Sequence, residues 1–340
     1  MKRQLLYITL LLIQALFFSC EENHDVSNEV GMDYMQLNTR TGGDNDSNKP
    51  IFIFWESSKF NAPGFGDNPT EPYVYRFPEG MIDDYNVGKS KYNTREVYPE
   101  YAAPVYAVGI SPASIPGATP TAWKSFNVAP AIAGLVDIQC APIIEGNEHT
   151  HFSDPLVFTH QLAKLEFKGY CGTSMKESDS KFVNVKDIEI SISSDKNDQW
   201  KWFPEKLTWN HGGIGVGQYK VSGYTAESPP ATPIVATVPS PEIVLLGKID
   251  ITEANAKPLG NFYLMPGFNA ITIRLKATYI DETLDKKTEN VREWEEFLIE
   301  NIDGTSTKAG NKYTINLCFE RNRIVLGASL VGWPDEDIVN

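Results

Sequence analysis

The chain has 340 residues, a hydrophobic content of 41%, an aromatic content of 11% and a formal net charge of -14. The apolar fraction excludes a disordered chain, and the length allows two domains, each with its own core. The acidic balance leaves no basic stripe for phosphates, which excludes a nucleic-acid binder, and gives no electrostatic hold on an anionic membrane.

Met1, Lys2 and Arg3 make a positive start, and Leu5 to Phe18 is apolar except for Thr9 and Gln14. Followed by Ser19 and Cys20, this has the layout of an export signal, too short to span a bilayer. A small residue and a Cys straight after the apolar run resemble a lipoprotein processing site. Residues 1–19 are then a signal peptide and Cys20 the lipidated N-terminus; the alternative is a secretory signal with an incidental Cys. Glu21 to Asp25 is acidic, resembling the surface-export signal of some outer-membrane lipoproteins.

Residues 20–48 read as a tether and one strand. Met32 to Asn38 alternates weakly, and Thr39 to Asn48 is polar and Gly-rich, the composition of an exposed segment. Arg40 in such a loop is either a surface residue or a target for an Arg-specific protease. A first domain over 49–152 opens with the dense strand Pro50 to Trp55 and continues through Tyr73 to Phe77 and Pro104 to Ile110, closing with Leu135 to Pro142. Asp83 to Arg95 reads as polar connection, and Glu145 to Asp154 as the linker between domains. His149 and His151 face one way if that linker is extended. Two histidines without a third ligand at a known spacing define no metal site, and incidental linker histidines are the plainer reading.

The second domain, 153–340, opens on Leu156 to Lys168. Phe158, His160 and Leu162 alternate, and then the period slips by one before Leu165 and Phe167. That predicts two strand segments joined by a bulge near Ala163 and Lys164, with His160 as a packing residue. Val183 to Ile192, Ala270 to Tyr279 and Tyr313 to Phe319 alternate as half-buried strands, and Ile324 to Trp333 is the last, apolar run. Gly212 to Gly217 is followed by no helical pattern and no Lys-Ser/Thr pair, so it predicts a turn and not a phosphate cradle. Short strands punctuated by Gly, Pro and Asn along the whole chain predict an all-β protein of antiparallel sandwiches.

Several patterns bear on chemistry. Gly-x-Ser-x-Gly is absent, and neither Asp83–Asp84 nor Glu295–Glu296 makes a matched acid–base pair, so no catalytic residues are expected and the chain is read as non-enzymatic. Asp335 to Asp337 lacks the spacing and glycine of a calcium loop. No cofactor or metal is expected. Trp200, Trp202, Phe203 and Trp209 either stack on sugars or pack the core. Cys140, Cys171 and Cys318 are an odd set: a Cys171–Cys318 bridge or buried free thiols.

Phe158-Thr-His-Gln-Leu-Ala-Lys-Leu-Glu-Phe167 resembles the strand that opens the second domain of the fimbrillin family, the type V pilins and their relatives. The resemblance extends to Ala309 to Leu317, to Ile324 to Trp333 and, in order, to Tyr92 to Arg95, Val105 to Pro112, Trp123 and Val136 to Gln139. It implies two tandem transthyretin-like antiparallel β-sandwich domains and export as a lipoprotein. It also implies assembly into surface pili by β-strand exchange: cleavage at Arg40 removes the N-terminal strand, and a strand from another subunit fills the groove. The run Ile324, Leu326, Ala328 and Leu330 is a candidate donor, or pairs within its own domain. The expected partners are other pilus subunits, the outer membrane through a lipid anchor, and a host or bacterial surface ligand. A glycan-binding outer-membrane lipoprotein, with its site at the tryptophans, is the alternative.

Overall fold

The computed structural model describes residues 34–40, 50–56, 73–76, 82–86, 89–98, 102–112, 115, 125–175, 182–213, 216–240, 245, 253–282, 286–300, 302, 304, 306–321 and 323–332. The strands in the N-terminal half are β1 (Tyr34–Arg40), β2 (Ile51–Glu56), β3 (Tyr73–Arg76), β4 (Ile82–Asn86), β5 (Lys89–Val97), β6 (Val105–Ser111), β7 (Ser125–Asn127) and β8 (Gln139–Gly146). Then come β9 (Leu156–Val157), β10 (Thr159–His160), β11 (Ala163–Cys171), β12 (Phe182–Ser193), β13 (Pro204–Gly213) and β14 (Val216–Gly223). The last are β15 (Val235–Ser240), β16 (Lys257–Leu264), β17 (Ala270–Glu282), β18 (Lys287–Glu300), β19 (Asn311–Phe319) and β20 (Ile324–Gly332). Helix among the described residues is confined to short 3-10 turns, so the protein is an all-β sandwich fold. None of these helices is long and apolar enough to cross a membrane.

Five sheets form. The first has the order β4-β5-β1-β9, the second β10-β8-β6-β2-β3, and the third β14-β13-β7. The fourth is β16-β11-β19-β20 and the fifth β15-β12-β17-β18. Alternation explains most of them. In β11, residues Ala163, Leu165, Phe167, Gly169 and Cys171 are buried while the residues between them are half-exposed. In β12, Ile188, Ile190 and Ile192 are buried and face the same way as Ile271, Ile273 and Leu275 of β17. The fourth and fifth sheets close on each other over these rows.

β6 differs, because it is buried along its whole length. Val105 and Ala107 belong to one cluster with Met35, Leu37, Phe52, Leu156 and Phe158, which joins the first and second sheets. Tyr106, Val108 and Ile110 belong to a second cluster, which continues through Phe126, Leu207 and Tyr219 into Phe167, Ile273 and Ile315. The second sheet is therefore covered on both faces. The third sheet makes the connection: β7, from the N-terminal half, pairs with β13 from the C-terminal half through Phe126 and Leu207, and β14 packs on β8. One apolar core thus runs through strands from both halves.

Two stretches differ from the reading of the sequence. Asp83 to Arg95, taken as polar connection, holds β4 and most of β5, paired with each other and with β1. In place of a bulged strand near Ala163, the stretch 156–171 visits three sheets. β9 lies in the first sheet, β10 in the second and β11 in the fourth. The slip in period marks a change of sheet.

Candidate functional site: terminal strands and the crossing stretch

β1 lies between two neighbours. It runs antiparallel to β5, with Leu37 opposite Tyr92, and parallel to β9, with Thr39 opposite Leu156 and Arg40 opposite Val157. Met35 and Leu37 point inward and are buried, while Gln36 between them is exposed. The strand ends two residues beyond the Asn38 that its weak alternation predicts, because the β9 pairing carries it to Arg40. Arg40 is thus the last residue of the strand and not a loop residue.

β20 pairs antiparallel with β19 over its full length, from Phe319 opposite Ile324 to Asn311 opposite Gly332. Of the predicted donor positions, Ile324 and Leu326 pack half-buried against the core. Ala328 and Leu330 stand opposite Ile315 and Tyr313. Among the described residues β20 is the outermost strand of the fourth sheet, with no strand paired to its other edge. Cys20 lies outside the described residues, as does Asp335 to Asp337.

The crossing stretch carries a polar contact that is largely shielded from solvent. His160 Nδ1 lies 2.7 Å from Asp137 Oδ2, with the two side chains only 6% and 10% exposed. Gln139 Nε2 donates to the same oxygen at 2.7 Å. His160 stands opposite Gln139 in the β10–β8 pairing, so the contact pins the point where the chain leaves the second sheet. His160 therefore does more than pack. Nearby Cys140 is buried, and its thiol is pushed far up by that burial and, secondarily, by Asp137. A thiol held protonated is no nucleophile, so Cys, His and Asp in one neighbourhood do not make a catalytic set.

Phe158, between β9 and β10, is buried against Gly109 of β6. A Cβ at Gly109 would come within 2.4 Å of Phe158 Cζ, so glycine there is what lets the ring settle on the strand. The stretch before it is ordered and not a loose linker. Asn147 Oδ1 accepts hydrogen bonds from the backbone N–H groups of His149 and Thr150, and His151 stacks on Tyr98 with ring centroids 4.9 Å apart. Among the described residues no cluster of three or more metal-ligating side chains occurs.

Trp202 and Trp209 are half-buried and pack against the core. Trp202 packs against Phe268 at 5.4 Å between centroids, and Trp209 against Tyr219 at 5.2 Å. Trp209 also lies on Gly217, where a Cβ would approach it to 2.3 Å. That glycine belongs to the β13–β14 hairpin, as the turn reading of the Gly-rich segment expects. Cys171 and Cys318 are free thiols on neighbouring strands: Cys171 faces inward with Phe167, and Cys318 faces outward. Their side chains point to opposite faces of the sheet, which rules out the bridge.

No family model matches the chain, and no curated protein matches it. Solved structures are similar to it. One is a fimbrial protein from Bacteroides vulgatus, 10% identical, with 88% of this chain and 99% of that one covered and a TM-score of 0.49. Another, from Bacteroides uniformis, is described as a "putative cell adhesion protein"; it is 14% identical, with 88% and 98% covered and a TM-score of 0.45.

Proposed function

We propose that this chain is a cell-surface lipoprotein that acts as a pilus subunit or pilus-associated adhesin and assembles by exchanging β-strands. The observation that carries the reading is the position of β1. The strand sits inside the first sheet, buries Met35 and Leu37, and ends at Arg40. Cleavage after Arg40 would leave β1 attached only by non-covalent contacts. Its departure would open a slot between β5 and β9, with unpaired backbone groups on both sides and two vacant apolar pockets. An incoming strand with apolar side chains at every second position restores both the hydrogen bonds and the burial.

β20 supplies that pattern at Ile324, Leu326, Ala328 and Leu330. In the single chain it is held by β19, so donation to a neighbour exchanges one set of backbone pairs for another. The uncut chain, with its slot filled and β20 paired at home, stays monomeric. Lipidation at Cys20 anchors it to the outer membrane. The partners are other pilus subunits and a surface ligand.

Treatment of the unlipidated chain with an Arg-specific protease tests this. The product should begin at Thr41 and form ladders on a gel, and Arg40→Gln should abolish both. A trimmed product that remains monomeric, or a chain not cut at Arg40, overturns the reading.

A further inference from the structure

We propose that residues 153–157 form a hinged strap that closes over a strand lying in the β1 position and opens when that position empties. The strap hangs between two anchors that do not involve β1. On one side, the backbone N–H of Phe152 donates to Tyr98 Oη at 2.9 Å, and its ring is seated on Gly146, where a Cβ would come within 2.9 Å of it. On the other side, Thr159 Oγ1 donates to the Cys140 carbonyl at 3.1 Å, and the Gln161 N–H donates to the Ile138 carbonyl at 2.9 Å. Phe158 completes this second anchor, edge-on to Phe52 with ring centroids 6.4 Å apart.

Between the anchors little holds the chain. Ser153, Asp154 and Val157 are exposed, and Leu156 is the one fully buried side chain. Pro155 has no N–H to donate. Among the described residues, the backbone of 153–157 forms ladder pairs only with β1, Leu156 with Thr39 and Val157 with Arg40, and makes no hydrogen bond outside that ladder. β9 is also the outermost strand of its sheet among the described residues. β1 is held differently, because it pairs with β5 as well, from Tyr34 to Thr39. Leu156 shares one apolar cluster with Met35 and Leu37 of β1. Loss of β1 therefore takes the strap's ladder and part of the cluster around its leucine at once, and leaves both anchors in place. A segment with so few contacts lies at the low-stability end of a fold.

The strap gives the β1 position one fixed wall and one movable wall. Without β1, β5 still pairs with β4, whereas β9 keeps no strand partner among the described residues. A strand entering between two rigid walls would have to be threaded from its end. With the strap swung aside, an entering strand can pair along β5 first. The strap then closes on it, restoring the pairs at Leu156 and Val157 and the burial of Leu156. The movement is a property of the uncut chain; only its use in assembly rests on the strand-exchange reading.

Amide hydrogen exchange of the full, uncut chain tests this, so neither cleavage nor polymerisation enters the result. In the parent, at least one of the Leu156 and Val157 amides should be protected. In rising sub-denaturing guanidinium that protection should be lost no later than that of β1, and before that of the Phe152 and Gln161 amides. Leu37→Asp places a carboxylate in the core and should undock β1. In that variant the strap amide should exchange about tenfold faster or more, with Phe152 and Gln161 protected as before. A peptide of residues 30–40, added until β5 regains protection, should restore the strap as well. The proposal is overturned if neither strap amide is protected in the parent, or if the strap stays protected after β1 has opened in guanidinium or in the variant. It is equally overturned if the two anchor amides open together with the strap, or if the peptide protects β5 alone. Should Leu37→Asp fail to fold, the guanidinium series on the parent decides alone.

Discussion

At the scale of single residues, the contact between Asp137 and His160 is the most consequential polar feature. A carboxylate that is 10% exposed is costly unless its hydrogen bonds are made, and Asp137 receives two at one oxygen while Oδ1 has no partner among the described residues. Removing the imidazole leaves the carboxylate with Gln139 alone. His160→Ala is expected to destabilise the protein by about 2–3 kcal/mol in denaturant unfolding. The double variant with Asp137→Ala should lose clearly less than the sum of the two single losses. The thiols are expected to be passive. Burial pushes Cys171 up to about 12 and Cys140 further, and Cys318, half-buried, is also raised. A thiol reagent on the native protein should therefore label Cys318 before the other two, and a reducing agent should leave the melting temperature unchanged.

At the scale of elements, the outer strands of the fourth and fifth sheets are finished differently. β18 is long and carries Glu289, Glu293, Glu295, Glu296 and Glu300 with Lys287 and Arg292, charges that deter another strand from pairing with its open edge. β20 has no charged side chain in its nine residues, so nothing of that kind blocks its edge. β1 is a third case, short and enclosed. Leu37 is fully buried there, so Leu37→Ala should cost the intact protein about 2–5 kcal/mol. In the chain cut after Arg40 and freed of β1, the same substitution should cost nothing. Unfolding curves of the two forms separate a strand that leaves from one that stays.

At the scale of the whole molecule, the third sheet governs cooperativity. Because Phe126 of β7 and Leu207 of β13 are register partners in one core that runs on to Ile273 and Ile315, the halves share buried surface. Heating should give one transition, with the same midpoint by tryptophan fluorescence and by far-ultraviolet circular dichroism. Phe126→Ala should lower that single midpoint by an amount equivalent to about 3–5 kcal/mol. Two separate transitions would mean that the shared core does not couple the halves.

Alternation along the sequence is a local property, and it alone determined the all-β class and strands such as β11, β12, β17 and β19. In β11 burial is written at every second residue; in β12 and β19 the apolar residues alternate in the same way, although polar residues between them, such as Ser191, Thr314 and Asn316, are buried as well. The buried run of β6 was legible too, because a strand covered on both faces is apolar throughout. β5 was not legible. Lys89 to Val97 is polar in composition, and it is a strand because β1 and β4 supply its hydrogen bonds. Nor could the sequence place Asp137 beside His160, turn Cys171 and Cys318 to opposite faces, or set Lys312 opposite Lys164. Those features depend on register between segments far apart in the chain. Register is fixed only when strands from both halves pack into one core, and this decided which candidate residues meet.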